Sequence, residues 1–324
     1  MAKQPRTLTG RVVAITGAAR GIGLATAKAC AAKGMQVAIG DLDEEAADAA
    51  AAQLGGGTLA VGLDVTQRSS VEDFLDEVDR RLGPVDVLIN NAGIMHLGPF
   101  VDEDESATRR MVDINVHGVL NGMSLVLPRF LARGQGHLVN IASSAGKAGY
   151  PGGATYCGTK HFVVGASESV RAELRDTRIE VSCVMPGIVN TELAAGLPPA
   201  RGVKNVEPED VAAAIVEALE LPRFDVFVPK SIGPINQVIS VLPRRGREGV
   251  ARALGADRVL ADADASARRG YELRASHSEP GLEPGNEWSN EPGLERGDER
   301  ARPTERAGEQ PRPVASPPAV PPGP

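Results

Sequence analysis

Tyr156 and Lys160 stand four residues apart in "GGATYCGTKHF", residues 152–162. On a helix that spacing puts both side chains on one face. A phenol with its ordinary pKa near 10 is a poor base at neutral pH. A neighbouring positive charge favours the phenolate. The two residues could therefore move a proton, although the spacing alone fits an ordinary stacked helical pair equally well. Tyrosine is scarce, with 3 in 324 residues.

A second stretch suits a different task. "TGAARGIG", Thr16 to Gly23, carries Gly17, Gly21 and Gly23 between an apolar strand, "RVVAITG", and a helix of small residues. Glycines there allow a tight turn and let backbone N–H groups approach a pyrophosphate at the helix N-terminus. The strand–turn–helix context is what makes such a turn credible. Asp41 ends the next strand, "QVAIGD", 24 residues after Gly17. A carboxylate in that place accepts hydrogen bonds from ribose hydroxyls and repels a 2′-phosphate, which favours NAD over NADP. Arg20, in the glycine loop, could welcome a phosphate and leaves NADP open. A fixed carboxylate outweighs one exposed cation. Asp41 also fits as the N-cap of the following helix.

The elements needed to position these residues are legible. Apolar strands are expected at 11–17, 36–41, about 58–65, 85–93, 136–144, 179–187 and in "FDVFVPK". Helices are expected between them, including a long one around 106–133 and another from about 154 to 177. Apolar strands separated by helices imply a parallel sheet covered on both faces. The crossover rule makes it a doubly wound, Rossmann-like α/β domain. Residues 1–230 form the expected dinucleotide-binding domain, and 231–275 a helical extension of it. Residues 276–324 are rich in Pro, Gly, Glu and Arg and hold 9 acidic and 5 basic residues. Such a segment buries too little apolar surface to order itself and is predicted to be a disordered tail. It carries the single tryptophan, Trp288, the natural anchor if the tail meets a partner.

Composition excludes several functions. A net charge of −7 supplies no basic footprint for nucleic acid. Cys30, Cys157 and Cys183 are odd in number and widely spaced, which suits a reduced, cytoplasmic protein and no metal site. The N-terminal stretch lacks the apolar run of a signal peptide, and no run is long enough to cross a bilayer.

Seven pieces, in order over about residues 8–230, together resemble the short, single-domain form of the short-chain dehydrogenase/reductase family. They are "TGAARGIG", "DV" at 64–65, "NNAG" at 90–93, Asn115 in "INVHG", Ser143 in "NIASSAG", "YCGTK" at 156–160 and "PGIVNT" at 186–191. The resemblance implies hydride transfer between a nicotinamide and an alcohol or ketone. Tyr156 would be the general acid/base, and Lys160 would lower its pKa and hold the nicotinamide ribose. Ser143 would orient the substrate oxygen, and Asn115 would hold a water linking Lys160 to solvent. Gly17, Arg20, Gly21, Ile22, Gly23 and Asp41 would bind the cofactor's adenosine and pyrophosphate. Asp64 and Val65 would sit by the adenine. Asn91, Ala92 and Gly93 would close against the adenosine ribose. Pro186, Gly187, Val189 and Thr191 would hold the carboxamide, with pro-S hydride transfer expected. A nucleotide sensor on the same fold would lack the Tyr, Lys or Ser; none is missing.

The loop after Thr191, with Leu193, Leu197 and Val203, leans toward an apolar alcohol or ketone, and Tyr150 is a possible contact on the opposite wall. In place of the glycine-rich end of tetrameric members, "PINQVISVLPRR" and its continuation look like relatives that act on lipophilic alcohols. That segment is expected to cover the cleft or pack in a dimer, with peripheral membrane contact less favoured. The helices around 106–133 and 154–177 are expected to pair in a homodimer. His96 reads as a plain loop histidine, His161 as surface packing, Cys157 as core or dimer packing, and Met95, Met123 and Met185 as core.

Overall fold

The computed structural model describes residues 4–198, 205–253 and 255–277. Seven parallel strands form one sheet: β1 (Val12–Thr16), β2 (Gln36–Asp41), β3 (Leu59–Gly62), β4 (Val87–Asn90), β5 (Gly136–Ile141), β6 (Ile179–Pro186) and β7 (Asp225–Val228). Their spatial order is β3-β2-β1-β4-β5-β6-β7. The order reverses between β1 and β4, and in open α/β sheets ligands bind in the crevice at that switch.

The connecting helices are α1 (Gly21–Ala32), α2 (Glu44–Leu54), α3 (Arg68–Arg81), α4 (Glu105–Val112), α5 (Val119–Arg133), α6 (Ala154–Glu173) and α7 (Pro208–Glu220). They cover both faces of the sheet. Val13 and Ile15 pack with Ala27 of α1, Ala47 of α2 and Ile215 of α7. Val12 and Ala14 point the other way, toward Phe74 of α3, Val126 of α5 and Val163 of α6. Alternation along β1 thus feeds two apolar layers, each built mainly from aliphatic side chains.

Three local departures from expectation have visible causes. The long helix around 106–133 is interrupted by a π-helical turn, Asp113–Gly118. Asn115, buried in that turn, bonds its side chain to the loop after β4. The helix expected to reach 177 ends at Glu173. Thr177 competes there: its hydroxyl donates to the Leu174 carbonyl at 2.7 Å and accepts from the Ile179 N–H at 3.1 Å. Ser143 lies beyond the end of β5, where it caps a short 3₁₀ turn, Ser144–Gly146.

After β7 come α8 (Ile232–Ser240), α9 (Arg244–Ala253) and α10 (Ala265–His277). Helix α10 runs two residues past the expected boundary at 275. Val203, Trp288 and the predicted tail from residue 278 onward lie outside the described residues. No described helix is long and apolar enough to cross a membrane.

Candidate active site

A cavity of about 1710 Å³ follows the carboxyl ends of the strands, from Asp41 past Gly93 to Ser143 and Tyr156. A typical small-molecule site is roughly 300–1,000 Å³, so this one has room for two ligands side by side. Every cofactor-binding candidate named above lines it except Gly23. Among the catalytic candidates, Asn115 alone stands behind the wall.

At the β1–β2 end, the glycine turn is locked to the loop after β4. Gly17 has φ +63°, and a Cβ there would lie 2.7 Å from the Ala92 Cα. A Cβ on Gly23 would lie 2.4 Å from the Gly17 carbonyl oxygen. Both positions need glycine, for conformation at the first and for space at both. The Asn91 amide donates to the Thr16 and Gly17 carbonyls at 2.9 and 2.7 Å. The Thr16 hydroxyl accepts from the Asn91 and Ala92 N–H groups at 3.0 and 3.1 Å. Thr16 is a positioning residue that the motif reading passed over. Its signal was a hydroxyl closing an otherwise apolar strand.

Asp41 is not the cap of α2, because Asp43 fills that role and accepts from the Ala46 N–H at 3.1 Å. Asp41 instead accepts from the Ala19 N–H at 2.9 Å and from the Asp43 N–H at 3.2 Å. Arg20 does not stand free either: its guanidinium is ion-paired with Asp43. A cation so engaged offers a 2′-phosphate less than the sequence suggested. Asp64, the next carboxylate along the wall, accepts from the N–H and hydroxyl of Thr66 at 2.9 and 2.7 Å.

At the other end, α6 buries Tyr156 and Lys160 together. The Lys160 Nζ donates to the Ile141 carbonyl at 3.0 Å and lies 5.8 Å from the centre of the Tyr156 ring. Burial pulls the ammonium down to about 8. Burial also pushes the Tyr156 phenol above its ordinary value, with the neighbouring Ser143 hydroxyl opposing the shift. The lowering by Lys160 expected from the sequence is not among the causes of this shift, and burial prevails in the protein alone in a pocket dry enough to disfavour both charges. The Ser143 hydroxyl also accepts from the Ala145 N–H at 3.1 Å, which fixes its direction.

Asn115 ties this end to the centre. Its carbonyl oxygen accepts from the Ile94 N–H at 2.9 Å, and its amide donates to the Ile94 carbonyl at 2.8 Å and to Thr159 at 3.1 Å. A Cβ on Gly93 would lie 3.1 Å from Asn115 Oδ1 and 3.5 Å from Lys160 Nζ. The bare backbone at Gly93 is what lets these groups converge. Beyond β6, Val189 pairs with Val206 in an isolated bridge that tethers the loop carrying Thr191, Leu193 and Leu197.

Tyr150 lines the cavity. His96 lies outside it, half-buried, its pKa lowered by burial and its Nε2 without a hydrogen-bond partner. His161 contacts the Cys157 carbonyl at 2.8 Å through Nδ1. Cys157, Met95, Met123 and Met185 are buried.

A cleft with a close-packed glycine turn at one end and a Ser–Tyr–Lys group at the other, its Tyr156 and Lys160 buried, defines an oxidoreductase of Rossmann-like fold. The family model described as short chain dehydrogenase matches residues 11–202, and the chain belongs to that family. It is 35% identical over 228 residues to the glycine betaine reductase ATRR of Emericella nidulans, of whose length the match spans 18%. It is 39% identical over 186 residues to a sorbitol dehydrogenase of Cereibacter sphaeroides, covering 57% of this chain and 73% of that one. Among solved structures, a short chain dehydrogenase/reductase from Burkholderia phymatum in complex with NAD superposes with a TM-score of 0.67 at 27% identity, over 72% of this chain and 93% of that one.

Proposed function

We propose that this protein interconverts a secondary alcohol and its ketone with NAD, and that Tyr156 is the proton donor and acceptor. The observation that carries the reading is the position of Tyr156: buried, beside Ser143 and Lys160, and in the same cavity as Asp41. The residues fit a nicotinamide dinucleotide, since the close-packed Gly17 turn and the Asp41 carboxylate mark one end and the Lys160 ammonium the other. When bound, that cofactor accepts or supplies the hydride.

In the reductive direction, the ketone oxygen takes a hydrogen bond from Ser143 and the proton from the Tyr156 hydroxyl. The Lys160 ammonium stabilises the phenolate left behind and binds ribose hydroxyls, and Asn115 holds the turn through which water refills the proton. In the oxidative direction the Tyr156 phenolate takes the alcohol proton. Burial alone opposes that phenolate, so a positive charge arriving beside it would bring the phenol back toward a useful range. Asp41 would accept the adenosine ribose hydroxyls, Asp64 and Val65 would hold the adenine, and Pro186, Gly187, Val189 and Thr191 would hold the carboxamide so that the pro-S hydride is transferred.

The walls nearest Tyr156 are mostly apolar, with Met95, Leu193, Leu197 and Leu260 among them, which supports a substrate that is apolar over much of its surface. The test is a screen of secondary alcohols and ketones followed by NADH absorbance, with Tyr156→Phe beside it. Turnover is expected to fall by a factor of about 10² or more in the variant while NADH affinity holds. Undiminished turnover in Tyr156→Phe would refute the assignment.

A further inference from the structure

The substrate end of the cleft is closed by α10, a helix that no motif of the glycine turn or the Tyr–Lys segment reaches. Arg268 of α10 points inward and is 1% exposed. Its guanidinium donates to the Met95 carbonyl at 2.7 Å, on the loop after β4. It also donates to the Leu193 and Ala195 carbonyls at 3.0 and 3.1 Å, on the loop after β6. Glu272, one turn on, pairs with it at 3.0 Å. A buried cation needs such compensation, and the planar fork of arginine suits a clasp on several acceptors. The Asp264 N–H adds a bond to the Gly196 carbonyl at 2.9 Å, and Arg274 pairs with Glu192 at 2.9 Å. Both loops that flank the reacting groups are thus fastened to one helix.

The clasp fixes Tyr271. The Arg268 guanidinium lies 5.3 Å from its ring centre. The Tyr271 hydroxyl accepts from the Met95 N–H at 2.8 Å, and among the described residues nothing accepts its own hydrogen. The chain's other two tyrosines, Tyr150 and Tyr156, have the Ser144 and Ser143 hydroxyls beside them. All three line the same cavity. Burial pushes Tyr271 up to about 12, so it stays a neutral donor through the working pH range. The cavity that it lines has apolar side chains, Met95, Leu193, Leu197, Val259 and Leu260 among them, while Arg268, Glu272 and Glu192 lie near enough to act on its hydroxyl. With no acceptor among the described residues, that hydrogen is open to an oxygen of a ligand in the cavity.

We propose that Tyr271 is a substrate-binding residue that donates a hydrogen bond to a second oxygen of the substrate. The substrate class is then a largely apolar secondary alcohol or ketone with a further carbonyl or hydroxyl oxygen. Ser143 and Tyr156 take the reacting oxygen, and Tyr271 takes the other. This rests on the oxidoreductase reading above.

The test is a calorimetric titration of the NADH-saturated protein with 1-decalone and with decalin-1,5-dione. The wild type is expected to bind the dione about five-fold more tightly, the effect of one net hydrogen bond. Tyr271→Phe keeps the ring and should lose most of that preference, with affinity for 1-decalone unchanged. Equal binding of the two probes by the wild type would overturn the proposal. So would a preference that survives in Tyr271→Phe, or a variant that weakens both probes alike, which would mean that Tyr271 only braces the Met95 loop. Binding of neither probe would overturn the substrate class. Failure of NADH to saturate the protein would instead sink the cofactor reading, and this proposal with it.

Discussion

In its proposed role Tyr156 would meet two opposing demands, since a phenol must be dry to exchange protons only with substrate, yet dryness holds it protonated. Its partner Lys160 is subject to the same burial, which brings its ammonium down to about 8. The residue pair therefore depends on charge delivered from outside the protein. Two further residue-scale predictions follow from side chains already placed. Asp41→Asn retains an acceptor for the Ala19 N–H while removing the charge. The ratio of NAD to NADP affinity is expected to fall about ten-fold, read by fluorescence titration, since roughly 1.4 kcal/mol of repulsion is that factor. An unchanged ratio would shift the preference away from Asp41. His137, on β5, is held neutral by burial, with its pKa lowered to about 3, and its Nε2 contacts the Ser182 hydroxyl at 2.9 Å. The unfolded chain binds a proton at this residue below about pH 6.5 and the folded protein does not until about 3. Stability is therefore lost as pH falls from about 6.5 toward 3, by up to about 1.4 kcal/mol per unit from this group. Urea unfolding at pH 7 and pH 5 should show that loss reduced in His137→Gln.

Elements carry the site through a few buried polar contacts between otherwise apolar layers. Asn90 on β4 donates to Asn140 on β5 at 2.8 Å, and Asn140 donates to Ser167 on α6 at 2.9 Å. That chain holds α6, and with it Tyr156, in register with the sheet. Helix α5 can lie over it only because Gly122 has no side chain: a Cβ there would come within 2.1 Å of Asn90 Oδ1. Gly122→Ala is expected to destabilise the protein by about 1–3 kcal/mol, a melting shift of several degrees by calorimetry. An unshifted melting temperature would mean that α5 gives way without cost. The strand and helix order was legible in the sequence because strands buried on both faces read as short apolar runs. The site was legible because its glycines and its Ser, Tyr and Lys sit on local motifs. The π turn was not, since its Asn115 bonds reach a loop 21 residues away. Arg268 and Tyr271 were not, because an arginine in "ASARRGYELR" looks like solvated surface until three carbonyls from two distant loops converge on it. The weight of burial on Tyr156 was equally invisible from a spacing of four.

At the scale of the whole molecule, α5 offers an outward row. Leu120 and Leu131 are 41% and 52% exposed, and Leu127 between them is half-buried. Spacings of seven and four keep the three on one helical face. In the expected homodimer, where α5 and α6 would pair across a two-fold axis, this row would meet its copy. Leu120→Glu with Leu131→Glu is expected to convert the dimer to monomer in sedimentation velocity. A wild-type protein that sediments as a monomer would remove α5 from any such role.

The convergence of Tyr150, Tyr156 and Tyr271 on one cavity has an optical consequence. They are all the tyrosines of the chain, and the single tryptophan is at position 288. In a Trp288→Phe background, the tyrosine band of the near-ultraviolet circular dichroism spectrum comes from rings around that chamber alone. The arrival of a ligand, or the loosening of α10, becomes a colour change at a known address, readable without a label.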